Sequence, residues 1–196
     1  MSERSIPLLR GEVMYSNRDI EEAIAKGALK IEPLAKESVR SAGITLHLGS
    51  ALLKPLPGKV VDVKAKVLPD YREISIDDQN PYRLEPQEFV LGHTLEKVTV
   101  GTGLGFFIEG RSTLARLGLT VVKTAMLVQP GHRDRTITLE LGNHGPNVIL
   151  LYPRMKIVKA VIFELKTPTS IPYDDEGKYR HQCSVGRPVF TDEFLK

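Results

Sequence analysis

Apolar positions change their spacing along the chain. Over residues 16–27 (SNRDIEEAIAKG), Ile20, Ala23 and Ile24 fall on one face at helical spacing. Ser16 is placed to cap that helix, Asp19 stands in its first turn, Glu22 and Lys26 form an i,i+4 pair, and Gly27 ends it. Beyond it the period becomes two, with Ile44, Leu46 and Leu48 alternating with Thr45 and His47. Short β-rich runs follow at 59–63, 88–100, 118–122, 136–141, 147–152 and 156–163, and Pro and Gly punctuate the chain at Pro55, Pro57, Gly58, Pro69, Pro81 and Pro86. Many short strands between turn signals predict an all-β fold, a sandwich or a barrel, and nothing reads as alternating βαβ units.

The ends differ from this middle. Residues 1–15 read as an N-terminal extension, 16–166 as one β domain, and 167–196 as a C-terminal tail or lid, because TPTSIPYDDEGKYRHQ is polar and carries Pro. A length of 196 residues suits one domain, and 41% hydrophobic against 26% charged residues places it with globular chains. Lys and Arg number 27 against 24 Asp and Glu, a net +3 that is too weak for general nucleic-acid binding but leaves room for a local basic pocket. No apolar run approaches the roughly 18 residues of a membrane span, and the N-terminus has no signal-peptide core. Cys183 stands alone, so neither an intrachain disulfide nor a Cys-rich zinc site is expected, and the expected compartment is a reducing cytoplasm.

Four segments carry candidate chemistry. GTGLGFF (101–107) fails the dinucleotide fingerprint at Phe106 and reads better as a glycine-bearing strand or turn. His47, His93, His132, His144 and His181 form neither HExxH nor the zinc-deaminase signature, and read as ordinary surface or core histidines. In EGRSTLARLGL (109–119) the residues Leu114, Ala115, Arg116 and Leu117 suit one short helical turn that Ser112 can cap. Free N–H groups, the hydroxyls of Ser112 and Thr113 and the guanidinium of Arg116 are the parts of a phosphate site; the plain alternative is a capped surface helix with solvated arginines. TITLELGNHG (136–145) reads as a strand with Ile137, Leu139 and Leu141 on one side and Thr136, Thr138 and Glu140 on the other. A Glu there is solvated unless that side lines a pocket. In the tail, Tyr173, Lys178, Tyr179, Arg180 and Gln182 are either a flexible polar end or a lid that closes over phosphates.

Taken in order from about Met14, these segments resemble the dCTP deaminase family, a branch of the trimeric dUTPase-like superfamily. YSNRDIEEAIAKGALKIEP resembles the family's opening helix and strand, SAGITLHLGS its first conserved strand, and EGRSTLARLGL its GRSSLARLGL run. QPG, TITLE, LYPRMKIVKAVIFE and PYDDEGKYRHQ are similar to its DPG, strand-borne Glu, following hairpin and lid. The resemblance implies a distorted β-barrel or jelly roll with a short N-terminal helix and one short helix near residues 112–117. It implies a homotrimer with active sites between subunits, and hydrolytic deamination of dCTP to dUTP and ammonia without zinc. By matching position, Glu140 would shuttle protons, Arg116 and Ser112 would position water, and the Ala125 carbonyl would be a further water ligand. Arg111, Ser112, Thr113, Leu114, Ala115 and Arg116 would hold phosphates with Lys178 and Gln182, while Gln129, Thr138, Leu139 and Tyr173 would line base and sugar. Magnesium would arrive with the triphosphate, and dTTP would be an inhibitor. No protein-held metal, nucleic acid or membrane is implied.

The chain departs from that pattern at four places. Gln129 stands where the family's Asp meets the sugar 3′-hydroxyl, Leu127 where the deaminase branch often has a basic residue, and Thr45 and His47 where Asp and Arg are usual. The run GHRDRTITLE is about one residue longer than the bacterial pattern, and Asp134 is a candidate for the missing carboxylate. Two alternatives therefore stay open: a dUTP diphosphatase, alone or combined with the deaminase, and a nucleotide-binding paralogue without turnover.

Overall fold

The structure is a computed structural model that describes residues 14–191, 193 and 194; most of the expected N-terminal extension (1–13) lies outside the described residues. The chain opens with α1 (Asn17–Ala25), β1 (Leu29–Glu32), β2 (Val39–Arg40), β3 (Gly43–His47) and β4 (Ala51–Pro55). It continues with β5 (Tyr71–Ser75), β6 (Tyr82–Leu84), β7 (Phe89–Val100), β8 (Leu104–Gly110), α2 (Ser112–Ala115), β9 (Leu119–Thr120) and β10 (Leu127–Val128). β11 (Arg135–Asn143), β12 (Ile149–Leu151), β13 (Lys156–Glu164) and α3 (Tyr173–Glu176) complete it.

Helix α1 forms as its sequence dictates. The Ser16 hydroxyl accepts from the Asp19 amide while the Asp19 carboxylate accepts from the Ser16 amide at 2.8 Å, a reciprocal capping box. Ile20 and Ala23 are the side chains it buries. Met14 and Tyr15 are not part of a loose extension: Met14 bridges Phe163 and the Tyr15 amide donates to the Ile162 carbonyl, so both join β13.

A six-stranded sheet runs β5-β4-β7-β11-β9, with β1 beside the far half of β7, and a five-stranded sheet runs β10-β8-β13-β3-β2. β12 and β6 form a separate ribbon. The expected barrel is therefore two open sheets about one core, with no closed ring of strands among the described residues. Leu52, Val90, Leu139 and Leu141 from one sheet and Ile44, Phe106, Val158 and Ile162 from the other belong to a single buried cluster. Burying each such side chain contributes roughly 1.5–3 kcal/mol.

Two expectations change and one, for GTGLGFF, holds. Residues 59–63 are no strand: Val60, Val61 and Val63 are exposed in the loop between β4 and β5, which is pinned by an isolated Asp62–Val67 bridge and a Leu56–Asp70 backbone bond. With no sheet face beneath them, β-branched residues there gain nothing from an extended pairing. GTGLGFF resolves into a turn and the start of β8. Among the described residues there are three helices rather than two, since the tail contributes α3.

Candidate active site

Strand β11 carries the polar wall of the site. Its register slips against β7: Thr136 faces Lys97 but Thr138 faces His93, so β7 holds the extra residues of a bulge. The Ile137 amide left without a ladder partner donates to the Thr94 hydroxyl at 2.9 Å, and Thr94 in turn donates to the Glu96 carbonyl at 2.7 Å. Beyond the slip, Leu139 and Leu141 point into the core, while Thr138 and Glu140 turn to the other side. The bulge also buries Glu96, whose carboxylate accepts from the His47 amide at 2.9 Å and meets the His47 ring at 2.5 Å.

That outward side faces a cleft of about 620 Å³, a size suited to a nucleotide-sized ligand. Glu140, Ala125, Gln129, Thr138, Tyr173, Lys178 and Gln182 all line it. The Glu140 carboxylate accepts from the Lys123 amide at 2.7 Å, which ties the turn after β9 over the acid; Lys123 Nζ meets His144 Nε2 at 2.7 Å on the far side of that turn. Leu91, Ile108 and Ile137 supply apolar lining.

The C-terminal segment folds over this cleft rather than trailing from the domain. The Tyr173 amide donates to the Pro130 carbonyl at 2.9 Å, Asp174 pairs with Arg135, and Gln182 Nε2 donates to the Thr138 hydroxyl at 2.5 Å. Lys178 pairs with Glu193. Gly131 makes the approach possible: at φ +80° it is left-handed, and a Cβ there would sit 2.5 Å from Pro172 Cβ. The Arg135 guanidinium holds the Asp174 carboxyl below its ordinary range, whereas burial pushes the Tyr173 phenol up.

Other expected site residues fall elsewhere. Arg111, Ser112, Thr113, Leu114, Ala115 and Arg116 form α2 and its flanks, and none lines the cleft of its own chain. Ser112 does not cap the helix; Arg111 occupies that position with no side-chain bond, and Ser112 is the first helical residue. Leu114 packs against the core and fixes the helix, while Ser112, Thr113 and Arg116 are exposed. Leu139 is fully buried in the core and does not line the cleft. Asp134 does not reach inward: it is exposed and meets Lys97 at 3.4 Å.

Sequence reasoning missed His132, Arg135 and Thr136, which line the same cleft. His132 is buried, tilts against the Tyr173 ring at 5.7 Å between centroids, and is held below the usual histidine range by that burial. In sequence His132 reads as an ordinary surface or core histidine; the returning C-terminal segment lays Tyr173 against it and pairs Asp174 with Arg135, while Arg133 and Asp134 between them stay exposed.

A family model described as dCTP deaminase-like matches residues 14–165. The dCTP deaminase, dUMP-forming, of Coprothermobacter proteolyticus is 38% identical over 188 residues, covering 94% of this chain and all of that protein. The dCTP deaminase of Halorubrum lacusprofundi is 34% identical over 180 residues, covering 89% of this chain and 88% of that one. Among solved structures, the 2′-deoxycytidine 5′-triphosphate deaminase of Agrobacterium tumefaciens superposes with a TM-score of 0.60 at 18% identity. That match covers 80% of this chain and 49% of the other, and it speaks to the fold alone. No described helix is long and apolar enough to cross a membrane. With the match spanning helix α1 through β13 and relatives that are enzymes over nearly their whole length, the chain belongs to the dCTP deaminase family.

Proposed function

We propose that this chain is a hydrolase that deaminates dCTP, adding water at C4 of the cytosine and releasing ammonia to leave dUTP. The observation that carries the reading is the Glu140 carboxylate on the polar side of β11, in one cleft with Ala125, Gln129, Thr138 and the folded-over C-terminal segment. Attack on C4 needs a base for the water and an acid for the ring nitrogen and the departing amine; one carboxylate serves each in turn if the proton stays with it. The Lys123 amide fixes one carboxylate oxygen and leaves the other for water. The Ala125 carbonyl is a second water ligand, Thr138 and Tyr173 flank base and sugar, and Lys178 and Gln182 reach the nucleotide from the lid.

Arg111, Ser112, Thr113 and Arg116 belong to this chemistry through a neighbouring copy. Helix α2 is short, exposed and outside its own cleft, and Leu95, Phe107, Leu117, Met126 and Leu127 are exposed apolar side chains available to cover in an assembly. A homotrimer would bring the hydroxyls and guanidinium of one protomer to the Glu140 of the next. Magnesium enters this scheme bound to the triphosphate. Mg²⁺ carried on phosphates keeps several waters and asks few ligands of the protein. dTTP, with the same sugar and triphosphate, would compete for the cleft. The exposed thiol of Cys183 suits a reducing cytoplasm.

A second reading has its own support: several relatives carry the name dUMP-forming, which requires pyrophosphate release as well. Against it stands Gln129, whose amide cannot act as the carboxylate that would orient water on the α-phosphorus. Separate incubations with dCTP and dUTP, assayed for ammonia and for pyrophosphate, test both. Ammonia from dCTP with dUTP left intact is the expected result. Pyrophosphate from dUTP with no ammonia from dCTP overturns it, and binding without either product returns the chain to a non-catalytic role.

A further inference from the structure

Three buried side-chain atoms have no hydrogen-bond partner among the described residues: His132 Nε2, Arg135 Nη1 and Thr136 Oγ1. All three belong to residues that line the Glu140 cleft, and all lie within one turn and the first two positions of β11. Unmet polar atoms are costly in an interior, and when they cluster on a pocket wall they mark where a ligand supplies the partner.

Their chemistry says what kind of group fits. The positive charge of Arg135 is already met, since Nη2 pairs with Asp174 and leaves Nη1 as a plain donor. Burial holds the His132 imidazole below its ordinary range and so favours the neutral ring, whose Nε2 can present a lone pair. The Thr136 hydroxyl donates or accepts as required. One acceptor, one donor and one hydroxyl with no net charge left over do not suit a phosphate. They suit an alcohol, which gives its proton to Nε2 and takes one from Nη1. Neither Gln129, exposed at the cleft's edge, nor Asp134, turned out to Lys97, supplies such a pair.

We infer that His132, Arg135 and Thr136 form a subsite for a hydroxyl of the nucleotide's sugar and set which sugars this chain accepts. The inference rests on the nucleotide reading given above. Because Asp174 holds Arg135 and Tyr173 lies against His132, the subsite is complete only while the C-terminal segment is folded down.

The test uses the full chain and three nucleotides: dCTP, which offers the 3′-hydroxyl, 3′-deoxy-CTP, which offers the 2′-hydroxyl, and 2′,3′-dideoxy-CTP, which offers neither. Dissociation constants are measured by calorimetry beside ammonia release. The hydroxylated nucleotide that fills the subsite should bind about tenfold or more tightly than the dideoxy form, as expected for hydrogen bonds to otherwise unsatisfied groups. His132→Phe keeps a ring against Tyr173 and removes the nitrogen; Thr136→Val keeps the shape and removes the hydroxyl. Each should reduce that preference to about threefold or less while leaving dideoxy affinity within about twofold. Either variant suffices should the other fail to fold. A dideoxy form that binds the unaltered protein as well as both other nucleotides overturns the subsite, as does a preference that survives both substitutions. Preference without ammonia keeps the subsite and removes the deaminase, whereas ammonia without preference does the reverse.

Discussion

Strand β11 and helix α2 carry the two halves of the expected chemistry under opposite conditions. β11 lies between β7 and β9, and its polar side chains open into a cleft that the same chain closes. Helix α2 is four residues long, buries no side chain fully and contributes nothing to the lining of that cleft. The segment with the most specific sequence match is thus the one with no pocket around it, while the carboxylate has a pocket with no α2 arginine in it. A motif can be complete in sequence and half a site in space, with the missing half supplied by symmetry.

The contrast can be broken most sharply at Glu140. Glu140→Gln should lower ammonia release from dCTP by about a thousandfold or more, the loss of a positioned acid–base group, while nucleotide binding measured by calorimetry persists. A mutant that keeps its rate would leave β11 a structural wall. Arg116→Ala should cost about a hundredfold by removing transition-state charge stabilisation. Mixing it with Glu140→Gln should then restore about a quarter of the unaltered activity, because random trimers rebuild one intact pairing in each mixed assembly. No recovery would place both groups in one chain and dissolve the contrast.

Smaller effects sharpen the β11 half. Gly131→Ala forces an L-residue into the left-handed region at about 1–2 kcal/mol and drives its methyl into Pro172. Nucleotide affinity should fall about tenfold by calorimetry, and trypsin should cut faster within residues 167–191. The smallest effect is on pH. Burial depresses His132 and His93 below their ordinary 6.5, so their stabilising neutral forms are fully present above that value and are lost as pH falls towards the lowered folded values. The unfolding midpoint should therefore decline from pH 7 to pH 5, and His132→Phe should flatten part of that slope.

Local rules made much of this legible. The Ser16–Asp19 box, the alternation of Ile137, Leu139 and Leu141, and the β-run at 156–163 are decided by residues within a few positions of one another, and all appear as read. Residues 59–63 mislead because a β-branched run reports propensity and not the sheet edge it needs. β5 and β6 leave little trace in the sequence: Tyr71–Ser75 has little burial, and Tyr82–Leu84 is only three residues paired to distant β12. His132 reads as ordinary in sequence because the groups packed on it and on Arg135, Tyr173 and Asp174, lie some forty residues on. The identity of Glu140 as a pocket residue rested on which side of β11 is covered, and that depends on the slip against β7.

The Thr94 clamp has one further consequence. Because its hydroxyl takes the Ile137 amide, the phase of β11 is set at that point and no longer depends on what precedes it. The turn ahead of the clamp is then free to gain a residue or exchange aromatic, basic and acidic side chains while the acid downstream stays where it is. The side chains proposed to read the sugar and the proposed acid lie four to eight positions apart along the chain, yet with the clamp between them they can drift independently across generations of sequence.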